Sequence, residues 1–507
     1  MQALKELVYL INKHNVRTQS FFPEGPEGKS MMAEFYEEIL KGNIQDDEGA
    51  AHHFYDGQIN SARYQKLKNS MLKRLLSMVF FLDNNGSSFA ERNQAYYECY
   101  KEWASAKILL GKNARTSGIR LALKVLRQSK KYEFTELTLD ISRTLRLHYG
   151  TREGNLSKFD QYNKLYKSLA QLWKREIEAE EKYADLVLHY INAKASKDDT
   201  HLKAKEFFEE IKEDFNQYDS YMIKFCGYLI KTLISSSIND HQNTLQTTQE
   251  ALDFFYSKPY FARVPIQIAY YQQMVCYTQL KDFDNGRKVA FKCQEIIDRG
   301  SFNWFKFQEL YFLLSMHTEE YQEAYEIFCE VKAEKQFEFL PEAVRETWNI
   351  FKAYLHFLQE VGQLALPTDE KRFTKFRLGK FLNNTPIFSK DKMGMNIPIL
   401  VIQIVFMIHN KDYDQAIDRI EAIEKYVTRY LRKDDTFRSN CFIRMLLQIP
   451  ASGFHQAGVI RKAKKYQNKL EECPLEMAGQ NYEIEIIPYE TLWNMVVQSL
   501  EPSFHTV

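Results

Sequence analysis

Three stretches of this 507-residue chain repeat one short pattern: Lys281–Val289 (KDFDNGRKV), Glu319–Ile327 (EEYQEAYEI) and Lys411–Arg419 (KDYDQAIDR). A weaker fourth is Lys130–Leu137 (KKYEFTEL). Each follows an apolar segment of helical spacing and opens another. Each reads as two polar residues, an aromatic ring, two further residues and then usually a small one. The polar pair predicts a tight turn between antiparallel helices, and the ring a cap on the junction. The small residue (Gly286, Ala324, Ala416) predicts a close approach of the second helix to the first. Phe283 and Tyr321 lie 38 residues apart, close to the length of one helix pair. A hairpin of this kind is apolar on two sides and buries both only by stacking on neighbours, as a curved solenoid whose concave face is made by the first helices.

Composition fits that architecture. There are only 19 Gly and 12 Pro, against 36 Phe, 31 Tyr and 5 Trp. Few chain breakers and many rings favour an all-α fold with a large core, and argue against an all-β or a disordered chain. The net charge of +1 lacks the basic excess of a dedicated nucleic-acid binder. Seven widely spaced cysteines with no CxxC read as reduced thiols, which suggests a cytoplasmic setting. The start, MQALKELVYLINKHN, has an amphipathic helix pattern and lacks the continuous apolar stretch of a signal peptide. Ile397–Ile408 (IPILVIQIVFMI) is too short to span a bilayer and reads as a helix buried on all sides.

Turn residues cluster at 21–30, 83–88, 111–118, 150–155, 196–200, 235–239, 366–369 and 450–453, with helical periodicity between them. In 62–82 the stripe Tyr64, Leu67, Met71, Leu72, Leu75, Met78, Val79 and Leu82 sets the period. A stretch without Gly or Pro predicts a long helix near 156–193, whose charged middle (KREIEAEEK) implies water on both faces or a bend. The organisation expected is an N-terminal helical region (1–110), a helical region holding the long helix (111–216), a repeat array (217–472) and a C-terminal tail (473–507). Expected hairpins pair helices near 117–130 and 132–148, 217–236 and 243–256, 262–280 and 283–298, 304–317 and 320–334, 342–361 and 370–382, 397–409 and 413–431, and 437–449 and 455–472. In the tail, Tyr482–Ile487 (YEIEII) alternates, as a short strand or an extended segment would.

The junctions resemble those of tetratricopeptide (TPR) repeats, in which a Gly-Asp-Tyr-x-x-Ala turn joins the two helices. Tyr270 and Tyr277 stand at the family's first-helix aromatic positions, and Gly286 and Cys293 at its small second-helix positions. Ala324 and Phe328 match in the next block; in the third Ala416 matches and Ile420 replaces the aromatic. The family's first-helix Leu-Gly pair is replaced by Gln273-Met274, Tyr311-Phe312 and Gln403-Ile404, and no repeat ends in proline. The resemblance implies a scaffold or adaptor that holds a partner protein or peptide on its concave face. The matching groove positions are Tyr271, Thr278 and Gln279 in one block and Lys306, Glu309, Leu313 and His317 in the next. In the third they are Val401, Val405 and Ile408, too apolar for solvent and so covered by another segment or by a partner.

Motifs for chemistry are sparse. PEGPEGKS at 23–30 lacks the first glycine of a phosphate loop and a preceding strand, and reads as a surface loop capping a helix from Ser30. His52, His53 and Asp56 could ligate a metal, but adjacent helical histidines point about 100° apart, so a surface pair is favoured. No nucleophile elbow, nucleotide fingerprint or kinase set is present; no catalytic residue, metal or cofactor is expected. Glu370–Leu382 interleaves Lys371, Arg372, Lys375, Arg377 and Lys380 with three Phe, and Arg461–Lys469 adds five cations. These stretches keep a second function open, a nucleic-acid-associated subunit, against the favoured reading of amphipathic helices with solvated cations. A third is an unfamiliar enzyme housed in the N-terminal region.

Overall fold

A computed structural model describes residues 1–14, 16, 22, 30–55, 57, 59, 61–82, 91–192, 197–365, 396–430, 437–477 and 484–500. The fold is all-α: twenty-one α-helices and no β-strand occur among the described residues. The chain separates into two compact units, Met1–Leu169 and Ala170–Val507.

The first unit opens with α1 (Gln2–Lys13), α2 (Met31–Leu40), α3 (Asp47–Tyr55) and α4 (Ala62–Met78). Ser30 and Ser61 start α2 and α4 by accepting from the amides of Ala33 and Tyr64. Helical spacing brings Leu4, Val8 and Ile11 of α1 onto Phe35 of α2 and Tyr64, Met71, Leu75 and Met78 of α4 in one core. Next come α5 (Glu91–Gly111), α6 (Arg115–Lys131) and α7 (Thr135–Thr151), with α6 packed on α5 and α7 on α6. Helix α8 (Leu156–Asn192) is continuous for 37 residues, about 55 Å, and the division between the units falls within it.

The second unit takes in the rest of α8, then α9 (Lys197–Gln217), α10 (Tyr221–Ser236), α11 (His241–Tyr256), α12 (Arg263–Leu280), α13 (Phe283–Gln294), α14 (Phe302–His317), α15 (Tyr321–Ala333) and α16 (Glu342–Glu360). It ends with α17 (Asn396–His409), α18 (Tyr413–Tyr430), α19 (Phe437–Leu446), α20 (Gln456–Glu471) and α21 (Tyr489–Gln498). Neighbours pack pairwise along the array, and the first helices α12 and α14 also pack on each other. The charged middle of α8 is explained by α9 and α10. Lys182 pairs with Glu210 at 2.5 Å, and buried Glu176 accepts a 2.6 Å hydrogen bond from Ser220.

The repeated junction has one geometry. The first residue of the polar pair is left-handed: Lys281 (φ 54°), Glu319 (φ 63°) and Lys411 (φ 61°). It reverses the chain so that the amides of Asp282, Glu320 and Asp412 reach back to the carbonyls of Tyr277, Ser315 and Met407 at 2.8–3.0 Å, closing the first helix. The second residue opens the next helix, and its carbonyl accepts from the small residue four positions on: Gly286, Ala324 or Ala416. All three small residues are buried against the first helix. The same left-handed residue and returning amide bond recur at Asn113, Glu133 and Asn239, so the device is used at six junctions; Phe454 is also left-handed before a helix start, but there the His455 amide reaches only to Ser452.

The helix bounds match the expected hairpins closely, except for 370–382, which lies outside the described residues. Ile397–Ile408 is buried on every face, in α17, and no helix of the described residues is long and apolar enough to cross a membrane. All seven cysteines are free thiols. Of the alternating YEIEII segment, residues 484–487 form no strand; they lead into α21.

Candidate partner-binding groove

The groove predicted from the repeats is built from α12, α14, α16 and α17, and at its α14–α19 end the chain's own C-terminal residues cover it. Ile484, Glu485, Ile486 and Ile487 are all at most 3% exposed, and Tyr489, Leu492, Trp493 and Val496 of α21 are equally buried. Such burial is core-like.

One histidine holds the backbone of this segment and a second holds the chain that precedes it. The Nε2 of His317, at the end of α14, donates to the Glu485 carbonyl at 2.5 Å. His241, at the start of α11, bonds the Glu476 carbonyl at 3.1 Å. Burial pushes the His317 imidazole down to about 4, against the raising effect of that carbonyl bond, and Lys281 and Arg438 act in the same direction as burial. The ring is therefore neutral at pH 7, with its proton on Nε2 and its buried Nδ1 unpartnered among the described residues.

A buried charge cluster anchors the segment from the other side. Arg438 of α19 is itself fully buried, and all of its nitrogens are used. Nε and Nη2 grip Glu485 at 2.7 and 3.0 Å, and Nη2 also reaches both Glu490 oxygens at 2.8–2.9 Å. Nη1 donates to the carbonyls of Leu470 and Cys473 at 3.2 and 2.7 Å. Burial opposes the Arg438 charge, but the two carboxylates outweigh it and hold the guanidinium more firmly protonated than usual. Burial acts to raise both carboxyls; Glu485, the more enclosed, stays raised, whereas Arg438 holds Glu490 below its ordinary value. Glu485 also accepts from the Tyr489 amide at 3.2 Å, which starts α21. Around this cluster Tyr489 stacks on Phe442 at 4.3 Å and meets Ser439 at 2.9 Å. Thr491 donates to Glu319 at 3.1 Å, and Gln456 to the Val497 carbonyl at 3.0 Å.

Several residues expected to face a partner are thus enclosed. Thr278 is buried and donates to its own helix, at the Met274 carbonyl. Gln279 is buried. Glu309 is buried and paired with the half-exposed Lys306 one turn away. Leu313 is buried and His317 lies under Glu485. Val401, Val405 and Ile408 are covered, and α21 is one of the elements packed on their helix. Tyr271 remains half-buried. Lys371, Arg372, Lys375, Arg377 and Lys380 lie outside the described residues. On α20 the cations Arg461, Lys462, Lys464, Lys465 and Lys469 are exposed while Val459, Ala463 and Leu470 face inward, the pattern of a solvated amphipathic face.

Arg438, Glu485 and Glu490 were not among the expected site residues. The available signal was their setting: an Arg inside FRSNCFIRML and a Glu between isoleucines are charges in apolar surroundings, where they persist only when paired. In the first unit, His53 bonds Glu34 at 3.0 Å on the surface; Asp56 lies outside the described residues. No metal-ligating cluster occurs among the described residues. Comparison with family models, with curated proteins and with solved structures gives no match.

Proposed function

We propose that the protein is an interaction scaffold of TPR-like repeats that holds a partner protein or peptide along the inner face of its helix array. One observation carries the reading: this face already takes a stretch of polypeptide, its own residues 484–487, through the His317 bond to the Glu485 carbonyl, the Arg438 grip on the Glu485 carboxylate and apolar burial. The six turns of one geometry support the repeat relationship. Because the α14–α19 stretch is filled, the partner surface is the remaining inner face around α10 and α12, with Tyr271 at its edge and Lys306 beside the filled part. A cytoplasmic setting follows from the reduced thiols. The test is affinity purification from the source cell with mass spectrometry, comparing the parent chain with Tyr271→Ala/Lys306→Ala. A specific partner weakened by about 1–3 kcal/mol in the variant is expected. A partner retained equally by the variant, yet lost on Lys375→Ala/Arg377→Ala, would replace this reading with the nucleic-acid-associated one.

A further inference from the structure

A cavity of about 190 Å³ opens in the second unit where the array loosens. Helices α12 and α14 pack directly on each other, but α10 and α12 make little direct contact and leave a gap. Phe225, Tyr228 and Leu229 of α10 form one wall and Ile268 and Gln272 of α12 the other, with Tyr183 of α8 at one end. The floor lies one layer deeper, at Ala251 and Phe255 of α11. The floor residues and Ala269 are buried, and the wall residues are half-buried, so the cavity is a pit with a mouth.

Three properties define what fits it. First, its size: an apolar cavity of about 150 Å³ stays dry and binds benzene, so this one accommodates one ring or two fused rings. Second, its charge: among the described residues no Asp, Glu, Lys, Arg or His lines it. Burial raises the Tyr228 hydroxyl to about 12, so that group too stays neutral. Third, its polar equipment is small. The hydroxyls of Thr232, Ser236 and Thr248 and the amide of Gln272 are its non-phenolic polar side chains, and Thr248 already donates to the Thr244 carbonyl of its own helix, so the rest are enough to orient a ligand with one donor or acceptor. Interiors pack with few voids larger than water; a second cavity between α9, α10 and α11 is lined by His201, Lys205, Glu209, Lys231 and Asp240 and so differs in charge, while α11 and α12 are closely joined. Tyr256 and Tyr270, for example, tie α11 to α12 at 2.9 Å.

We propose that the cavity between α10 and α12 is a binding site for an uncharged aromatic small molecule of one or two fused rings. The floor lies in the second helix layer, beneath the inner face, so a free ring reaches it without a polypeptide backbone having to enter the gap. This inference does not rest on the partner reading, and its test needs no partner. The probe is 5-fluoroindole, titrated against the full chain and followed by fluorine NMR, with indole-3-acetate as a charged analogue of the same ring. Saturable binding is expected, with an upward shift of the melting temperature. Ala269→Phe, which fills the cavity, should weaken binding at least tenfold without lowering the melting temperature of the unliganded protein, while Gln246→Ala, at an exposed position of α11 outside the lining, should retain it. Gln272→Phe obstructs the mouth from a half-buried position and should have the same effect as Ala269→Phe should the latter not fold. Indole-3-acetate should bind at least tenfold more weakly than indole. No saturation up to the solubility limit overturns the proposal. So does equal binding by the folded filled variants, or equal binding of the charged analogue. Binding of N-acetyl-tryptophanamide at least tenfold tighter than indole would assign the cavity to a peptide side chain and remove the small-molecule reading.

Discussion

At the residue scale, the structure turns two positions into measurable quantities. A Cβ on Gly286 would lie 2.5 Å from Leu314 Cδ2 and 3.2 Å from Tyr277 Cβ, and Ala324 is fully buried at the equivalent place. Gly286→Leu and Ala324→Leu should each cost about 1–3 kcal/mol by overpacking, read from denaturant midpoints; parent-like stability of the double variant would remove the repeat register. His317 supplies a pH dependence. Its folded-state value of about 4 lies below the unfolded value near 6.5, so between these limits the unfolded chain binds more protons. Stability is then fully present above the upper limit and falls as pH drops toward the lower one, by an amount on the order of 3 kcal/mol. His356, pushed down to about 3 chiefly by burial, adds a parallel loss in the same window. His317→Gln keeps a donor for the Glu485 carbonyl and should flatten part of the slope between pH 6.5 and 4. An unchanged slope would place the titration elsewhere. The turns show what was legible at this scale. Polar pair, ring and small residue were readable because they are contiguous, but that the first polar residue adopts positive φ was not, since Lys and Glu take that role as well as Asn.

Among the elements, the C-terminal segment separates what local pattern reveals from what it hides. Helices α12 to α15 and α17 to α20 were readable to within a few residues from period and turn signals. The YEIEII alternation, which suits a strand face, instead serves a segment enclosed on both sides: Ile484 and Ile486 pack inward while Glu485 reaches Arg438 on the opposite side. The partner of Glu485 stands 47 residues away, and no local pattern carries such a pairing. His317 was expected to face a partner for the same reason, because its cover comes from another part of the chain, whereas Val401, Val405 and Ile408 were expected to be covered by another segment or a partner. The cluster predicts a sharp asymmetry. Arg438→Ala removes the cation that neutralises buried Glu485 and should cost about 3–5 kcal/mol. Arg438→Met with Glu485→Met removes the enclosed pair as a unit and should recover most of that loss, since Glu490 retains access to water. Equal destabilisation by the single and double variants in urea melts would show that the pairing is not what holds α21.

For the second unit as a whole, the array and its own tail behave as receptor and ligand joined in one chain, and that relation can be tested by cutting the link. A chain ending at Met477 lacks the segment that covers α14, α17 and α19, so it exposes their apolar faces and leaves Arg438 without its carboxylates. Such a chain should melt earlier than the full protein. A synthetic peptide of residues 484–500 supplied in trans should then bind it and raise its melting point with peptide concentration. A ligand that binds only the folded state adds about 2.7 kcal/mol at a hundredfold excess over its Kd. The intact protein, whose groove is already filled, should neither bind the peptide nor change its melting point. A peptide with Glu485→Lys should fail on the truncated chain, because a second cation would then face the buried guanidinium. Failure of the parent peptide to stabilise a truncated chain that is still helical by circular dichroism would show that the segment is held by its covalent connection rather than by recognition. The precedent for polypeptide binding on this face would then be lost.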